Sequence, residues 1–176
     1  GPVTQSYSSY IVLRNDYSDT NIYRHPLYDN VRVTMAHEFF HAIQMGYDAF
    51  EVEYLPGDPD SIRTYWQELS ATWMEDVVYD YVNDYVGYIP FFYNYPWLSL
   101  RTFSNNFSKP EKVFHPYASC VWGFYLQERY GIGIMKSMWE KCGATFGFNL
   151  FSAWDQALRE VTGNDTGFAE AFGEFT

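Results

Sequence analysis

The stretch from Val33 to Gln44 constrains the fold of this chain more than any other, because it contains the pattern H-E-x-x-H. Residues four positions apart on an α-helix lie on one face, about one turn from each other. His37 and His41 can therefore direct two imidazoles at one point, with the Glu38 carboxylate beside it. Two neutral imidazoles on one face suit Zn²⁺, and a neighbouring carboxylate can take a proton from water on the metal. The pattern predicts a metal-site helix.

The residues around the motif indicate that this helix is buried. The alternative is a surface helix with two incidental histidines, but apolar residues occur nearly all round the helix, and buried histidines beside a buried glutamate need partners that a metal can supply. The helix is expected to run from Asp29 or Asn30 to about Gly46. Its apolar residues are Val33, Ala36, Phe39, Phe40, Ile43 and Tyr47.

Composition narrows the class of partner. The formal net charge is −11 with only 11 Lys and Arg, so no basic patch is expected, and neither nucleic acid nor an anionic membrane surface is a predicted partner. The apolar runs are too short to insert into a bilayer. A length of 176 residues with 47% hydrophobic residues predicts one domain spanning residues 1–176, expected to be monomeric.

The ends and the cysteines give weaker signals. Residues 1–9 are predicted to be loose, and Gly1-Pro2 resembles the scar left by a tag-removing protease. Little lysine with abundant Tyr, Asn and Ser suggests a secreted or extracellular protein. Cys120 and Cys142 each lie eleven residues from Gly131, so two antiparallel helices joined there would bring them to one height. A disulfide and two separate buried thiols both stay open.

The predicted fold class is mainly α within α+β: a small N-terminal sheet and about five to six helices. Tyr10–Leu13 and Asn21–Tyr23 are the predicted strands. The aromatic segment from Gly87 to Pro110 is expected to pack irregularly, either as a wall of a cleft or as core cover. The helices after the motif helix are predicted near residues 61–85, 116–129, 132–141, 149–160 and 167–172.

A catalytic zinc site needs a third protein ligand and a position left for water. One known pattern places a histidine or aspartate six residues after the motif behind a glycine turn, but Gln44 and Tyr47 stand where glycine and the ligand are required. The other solution is a glutamate from a second helix. Glu68 supplies it, unless it is only an acid favoured by the positive end of the helix dipole.

Two further acids on the second helix are candidates for orienting the site. Glu75 lies seven residues after Glu68, on roughly the same face, and is either a competing ligand or a group that binds a histidine N–H. Asp76 is a weaker candidate for the same orienting role. Ser70 and Ala71 are small, so the two helices can approach each other closely.

At these residues the chain resembles a family. H-E-F-F-H followed by W-Q-E-L-S-A-T-W-M-E-D resembles the gluzincins, zinc metallopeptidases whose third ligand is a glutamate, and is similar to a group of bacterial secreted metalloproteases with undefined substrates. The gluzincin second motif commonly reads W-x-x-E-G-x-A, so the tryptophan here lies one residue closer to the glutamate. The resemblance implies a zincin-like domain, Zn²⁺ bound by His37, His41 and Glu68, and Glu38 as general base.

The family also requires a group that stabilises the oxyanion. His115-Pro116-Tyr117, which opens a helix, resembles the tyrosine-led helix of gluzincin aminopeptidases, although the Lys-Gly that follows tyrosine in that family is absent. Tyr117 is the first candidate and His115 the second. An exopeptidase signature is not visible, so the expected activity is endopeptidase cleavage of a polypeptide. The alternatives are a module that binds polypeptide or glycan around a structural or degenerate zinc site, and a peptidase whose substrate-aligning sheet lies upstream.

Overall fold

The computed structural model describes residues 8–20, 22–48, 64–144 and 150–176. These residues form nine α-helices, three of which are single turns of four residues, together with a short 3-10 helix at Asp84–Gly87. The six longer helices agree with the predicted number. The helices are α1 Leu27–Tyr47, α2 Thr64–Tyr79, α3 Pro90–Tyr93, α4 Pro110–Val113, α5 His115–Ala118, α6 Cys120–Tyr130, α7 Gly133–Ala144, α8 Leu150–Thr162 and α9 Phe168–Phe175.

The predicted N-terminal sheet is wrong. The described residues contain no strand, so the fold is mainly α without the α+β element. Residues 10–13 have irregular backbone, although Ile11 and Leu13 do lie against the outer face of α1. Ile22 and Tyr23 belong to a turn closed by hydrogen bonds from their amides to the Asp19 carbonyl. A short apolar, β-branched run forms a strand only when a second strand pairs with it, and no such partner lies beside residues 10–13 in the described chain.

Tryptophan side chains form the centre of the core and fix the position of α2. Trp66 is fully buried; its ring stacks on Trp139 of α7 at 5.5 Å and meets the Trp154 ring of α8 at 4.7 Å. Trp66 lies two residues before Glu68, so anchoring this first turn of α2 also fixes where the glutamate points. Five of the six tryptophans are buried: Trp66, Trp73, Trp122, Trp139 and Trp154.

Helix α1 packs along α2, but it is not buried all round as the sequence predicted. Val33, Ala36 and Phe40 face the core, whereas Phe39 on an adjacent face of the helix is 56% exposed. The outer face borders an apolar groove shared with residues 10–13 and the last half of α2. The helix begins at Leu27, earlier than the predicted start, because Pro26 precedes its first turn.

Helix α2 ends at Tyr79, before the predicted end near residue 85, because the chain turns there and Asn83 has a left-handed backbone (φ 55°). Helices α7, α8 and α9 lie close to their predicted ranges. The predicted helix from 116 to 129 is interrupted at Ser119, between α5 and α6, and Ser119 donates its hydroxyl to the His115 carbonyl at 2.7 Å. Cys120 and Cys142 are both buried thiols and form no disulfide. Most of the segment 1–9, predicted to be loose, lies outside the described residues. The predicted start of α2 near residue 61 lies outside them as well. No helix of the described ranges is long and apolar enough to cross a membrane.

A close contact between α2 and α6 gives a stability prediction. A Cβ added at Gly123 would lie 3.2 Å from the Cβ and Cγ atoms of Trp73, inside a packed core. Gly123→Ala gains up to about 1 kcal/mol of helix propensity but adds about 1–3 kcal/mol of overpacking strain. We expect a net loss of about 1 kcal/mol, measured by urea unfolding. The control is Gly173→Ala in α9, where the added Cβ meets nothing within 4 Å, and which should be neutral or stabilising. A Gly123→Ala protein as stable as the Gly173→Ala protein would contradict the close packing.

Candidate metal centre

The structure brings the two motif histidines and the predicted glutamate together. His37 and His41 lie one turn apart on α1, and Glu68 reaches them from the first turns of α2. One ligand atom from each of the three residues lies within 4.8 Å of the other two. The approach of the helices is close because Ser70 and Ala71 are small and fully buried. The two sequence motifs, one on each helix, therefore form a single cluster between α1 and α2.

The spacing of the ligand atoms fits a tetrahedral metal ion. Glu68 Oε2 lies 3.0 Å from His37 Nε2 and 3.6 Å from His41 Nε2. Ligands about 2.0–2.1 Å from a tetrahedral Zn²⁺ are about 3.3 Å apart, and the two observed distances bracket that value. Two imidazole nitrogens and one carboxylate oxygen are also the donor types that zinc takes. The donor types and these two distances therefore fit a zinc ion.

Glu75 orients the first histidine. Its Oε1 accepts a hydrogen bond from His37 Nδ1 at 2.6 Å, and its side chain is 8% exposed. Whenever Glu75 is ionised its carboxylate can only accept, so Nδ1 then carries the hydrogen, and the second nitrogen, Nε2, is directed at the cluster. Of the two roles predicted for Glu75, the geometry corresponds to the orienting one: the carboxylate binds the outer nitrogen of His37 and lies behind it.

Gln44 holds the second histidine in the same way. Its Oε1 lies 2.8 Å from His41 Nδ1, and its side chain is buried. In both histidines the Nδ1 atom is occupied by an acceptor, and both Nε2 atoms face Glu68 Oε2. Sequence reasoning missed this role, because Gln44 was considered only as the residue that replaces a glycine. The available signal was a lone amide three residues after His41, on the same face of an otherwise apolar turn.

The electrostatics of the cluster follow from burial and from short contacts between opposite charges. Burial acts to lower the pKa of His37, but the hydrogen bonds to Glu68 and Glu75 outweigh it and raise the pKa to about 10. Burial acts to raise the pKa of Glu68, yet the two histidines hold it well below its usual range. Burial raises the pKa of Glu75 to about 7, against the lowering effect of His37. Without a metal, His37 is thus positively charged and lies between the side chains of Glu68 and Glu75. The same acidic surroundings would favour a bound metal cation electrostatically.

Tyr117 joins the cluster from α5. Its ring stacks on the His37 ring with centroids 5.9 Å apart, and it lines the same cavity as Glu68. Burial and the nearby negative charge of Glu68 raise the pKa of Tyr117 well above its ordinary value. The hydroxyl therefore keeps its proton at neutral pH and remains a donor. Of the two residues predicted to stabilise an oxyanion, the structure brings this one to the cluster.

His115 and Asp76 are not part of the cluster. His115 is 1% exposed; its Nδ1 donates to the Phe91 carbonyl at 3.0 Å and its ring stacks on Phe92, beside a different, largely aromatic cavity. Burial lowers its pKa. Asp76 makes no hydrogen bond to either histidine in the described part of the chain, and its Oδ1 is buried without a partner there. Burial and the charge of Asp80 raise the pKa of Asp76.

Two cavities lie beside the cluster, and Tyr117 lines both of them. The first, about 280 Å³, is lined by His37, Glu38, Glu75 and Tyr117 among others. The second, about 330 Å³, lies on the side of Glu68 and Tyr117. Its other lining residues include Phe103, Asn105 and Phe107, from the aromatic segment that the sequence left open as either cleft wall or core cover. That part of the segment is a wall beside the cluster.

Comparison with known proteins adds no relative. No family model, no curated protein and no solved structure matches this chain. The likeness to the gluzincins therefore rests on the two motifs, and what it implies about activity is a proposal.

Proposed function

We propose that this protein is a zinc-dependent peptidase that cleaves polypeptides internally, with Zn²⁺ bound by His37, His41 and Glu68. The observation that carries the proposal is the convergence of two Nε2 atoms on one carboxylate oxygen, with both Nδ1 atoms occupied by acceptors. Such an arrangement provides three protein ligands. The side chains of His41 and Glu68 remain 26% and 16% exposed, which supports an open fourth position rather than a closed structural site.

The chain's own residues have distinct tasks in the proposed hydrolysis. A zinc ion, when bound, supplies Lewis acidity and lowers the pKa of water towards about 7. Glu38, on the wall of the cavity that also contains His37, receives the proton of the attacking water and delivers it to the departing amine. Tyr117 keeps its hydroxyl proton and donates a hydrogen bond to the oxyanion that forms at the scissile carbonyl.

Cleavage within a chain is favoured by the shape of the site. Cavities lie on both sides of the cluster, so a polypeptide can extend from one into the other past Tyr117. The sequence shows no exopeptidase signature of the kind that holds a free substrate amine. A secreted, monomeric protein acting on unfolded polypeptide is consistent with the composition, and these points also belong to the proposal.

The experiment is zinc loading followed by proteolysis. We expect one zinc per chain, measured by elemental analysis, and cleavage of casein that stops when a chelator removes the metal and returns when zinc is added. Mass spectrometry of the products should show internal peptides rather than single residues released from one end. Stoichiometric zinc with no cleavage of any unfolded polypeptide would instead favour a binding module around a structural zinc site.

Tyr117→Phe tests the proposed oxyanion contact. Removing the hydroxyl should lower kcat by about 10²–10³-fold at saturating zinc, because one preorganised donor is lost. The control is Tyr28→Phe, at an exposed tyrosine of α1, which should leave kcat unchanged. If Tyr117 only positions Glu68, the variant would instead bind zinc more weakly and recover full kcat once saturated. That result would show that Tyr117 positions the ligand Glu68 and does not stabilise the oxyanion.

A further inference from the structure

We infer that Gln44 is a positioning residue that fixes which nitrogen of His41 faces the metal and holds α1 in register with Glu68 on α2. The inference rests on the proposed zinc site and assigns it a residue outside the three ligands and the base. It is supported by a series of buried hydrogen bonds in which each polar group can act in only one way, as donor or as acceptor.

The chain of hydrogen bonds starts at a backbone carbonyl of α2. Ser70 donates its hydroxyl proton to the Trp66 carbonyl at 2.7 Å, which uses the only proton that the hydroxyl has. The Ser70 oxygen therefore acts as an acceptor toward its other neighbours. The indole N–H of Trp139 donates to it at 3.3 Å. Ser70 is fully buried, so its remaining partner must also donate.

That partner is the side-chain amide of Gln44. Its Nε2 lies 3.0 Å from Ser70 Oγ and 3.1 Å from the Gln67 carbonyl oxygen. Both neighbours accept, so the NH₂ group must occupy this side and the amide oxygen must face His41. The His41 Nδ1 atom, 2.8 Å from that oxygen, must then carry a hydrogen. His41 Nε2 is left as the nitrogen whose lone pair can bind a metal.

The same amide also joins the two helices beside the third ligand. Gln44 extends from α1 and binds the carbonyl of Gln67, the residue immediately before Glu68. Both hydrogens and the oxygen of the amide are used, and the side chain is 1% exposed. A shift of α1 along α2 would break these bonds together. Gln44 thus couples the position of His41 to that of Glu68.

Three variants separate this role from simple packing. Gln44→Met keeps the length and apolar bulk of the side chain but has no oxygen acceptor for His41. Gln44→Glu keeps an acceptor for His41 but places its second oxygen against the Gln67 carbonyl. Gln156→Met is the matched control, because it makes the same substitution at an exposed glutamine of α8. Zinc affinity is measured by competition with a chelating indicator, and stability by thermal unfolding of the metal-free protein.

Gln44→Met should bind zinc about 10–100-fold more weakly than the parent, the usual cost of losing a group that orients a ligand. Gln44→Glu should bind zinc within about threefold of the parent although it lowers Tm. Gln156→Met should change neither property. In ¹⁵N-edited spectra of the zinc-loaded parent, the His41 Nδ1–H should be protected from exchange, and it should lose that protection in Gln44→Met.

The outcomes distinguish this inference from the proposed function. If the parent protein binds no zinc, both the proposed peptidase function and the positioning role of Gln44 are overturned. A parent that binds zinc and cleaves polypeptide, with Gln44→Met binding equally tightly, would overturn the positioning role alone. Loss of affinity in Gln44→Met and Gln44→Glu in proportion to their loss of stability would also overturn it, because packing would then be sufficient to explain the effect.

Discussion

Zinc-loaded Glu38→Gln is expected to retain one zinc per chain and to lose peptide hydrolysis by about 10²–10⁴-fold in kcat/KM. The substitution keeps the size and shape of the side chain, but a neutral amide cannot receive a proton from water. Zinc should stay bound, because the hydrogen bonds that orient His37 and His41 come from Glu75 and Gln44. Initial rates on a fluorogenic peptide, together with metal analysis, give both quantities from one preparation.

The control for this variant is Glu128→Gln. Glu128 is an exposed glutamate on α6, so the same charge change should leave hydrolysis unaffected there. A Glu38→Gln protein that cleaves as fast as the parent would eliminate Glu38 as the base. Loss of zinc in the same variant would show that Glu38 acts on the metal, which the arrangement of hydrogen bonds does not lead us to expect.

The sequence predicted the cluster well because its chemistry is encoded locally. His37 and His41 share a face through helix geometry alone, and the choice of Glu68 needed only a second helix with small residues at the contact. Trp66 shows why Glu68 reaches the two histidines: a large apolar side chain two residues away anchors the turn in the core. When a ligand-type residue such as Glu68 lies beside a side chain that must be buried, such as Trp66, the sequence also indicates where the ligand lies in the fold.

The errors have a common origin in partners that lie far away in the chain. Residues 10–13 have the apolar, β-branched composition of a strand, and Ile11 and Leu13 line one groove, but a strand requires a second segment that local pattern cannot supply. Burial of Phe39 was expected from its own character, while its exposure depends on which face of α1 meets α2. Local sequence indicates what an element can contact, not which contacts exist.

His115 and Tyr117 show the same point within a single turn. Both were candidates for one role, yet residues two apart on a helix point about 200° away from each other. Only one of them can face a given cluster. The structure selects Tyr117, whose ring stacks on His37, while His115 faces Phe92. Helix geometry alone shows that His115 and Tyr117 cannot both face the cluster. It does not show which of the two does.

The second large effect is expected at the third ligand. Glu68→Gln should weaken zinc binding by roughly 10³-fold, because one of three ligands loses its charge at a site whose binding free energy is of order 10 kcal/mol. The isosteric change limits the disturbance of α2. Zinc affinity, again measured by competition with a chelating indicator, gives the magnitude. Activity should fall in parallel at limiting zinc.

Glu75→Gln is the matched comparison, because it makes the same change seven residues later on the same helix. Its amide oxygen can still accept from His37 Nδ1, so zinc binding should weaken by no more than about 10–100-fold. The ranking of the two variants therefore decides which carboxylate binds the metal. If Glu75→Gln lost zinc and Glu68→Gln kept it, the ligand would be Glu75, and the 3.0 Å approach of Glu68 to His37 would be only a salt bridge of the metal-free protein.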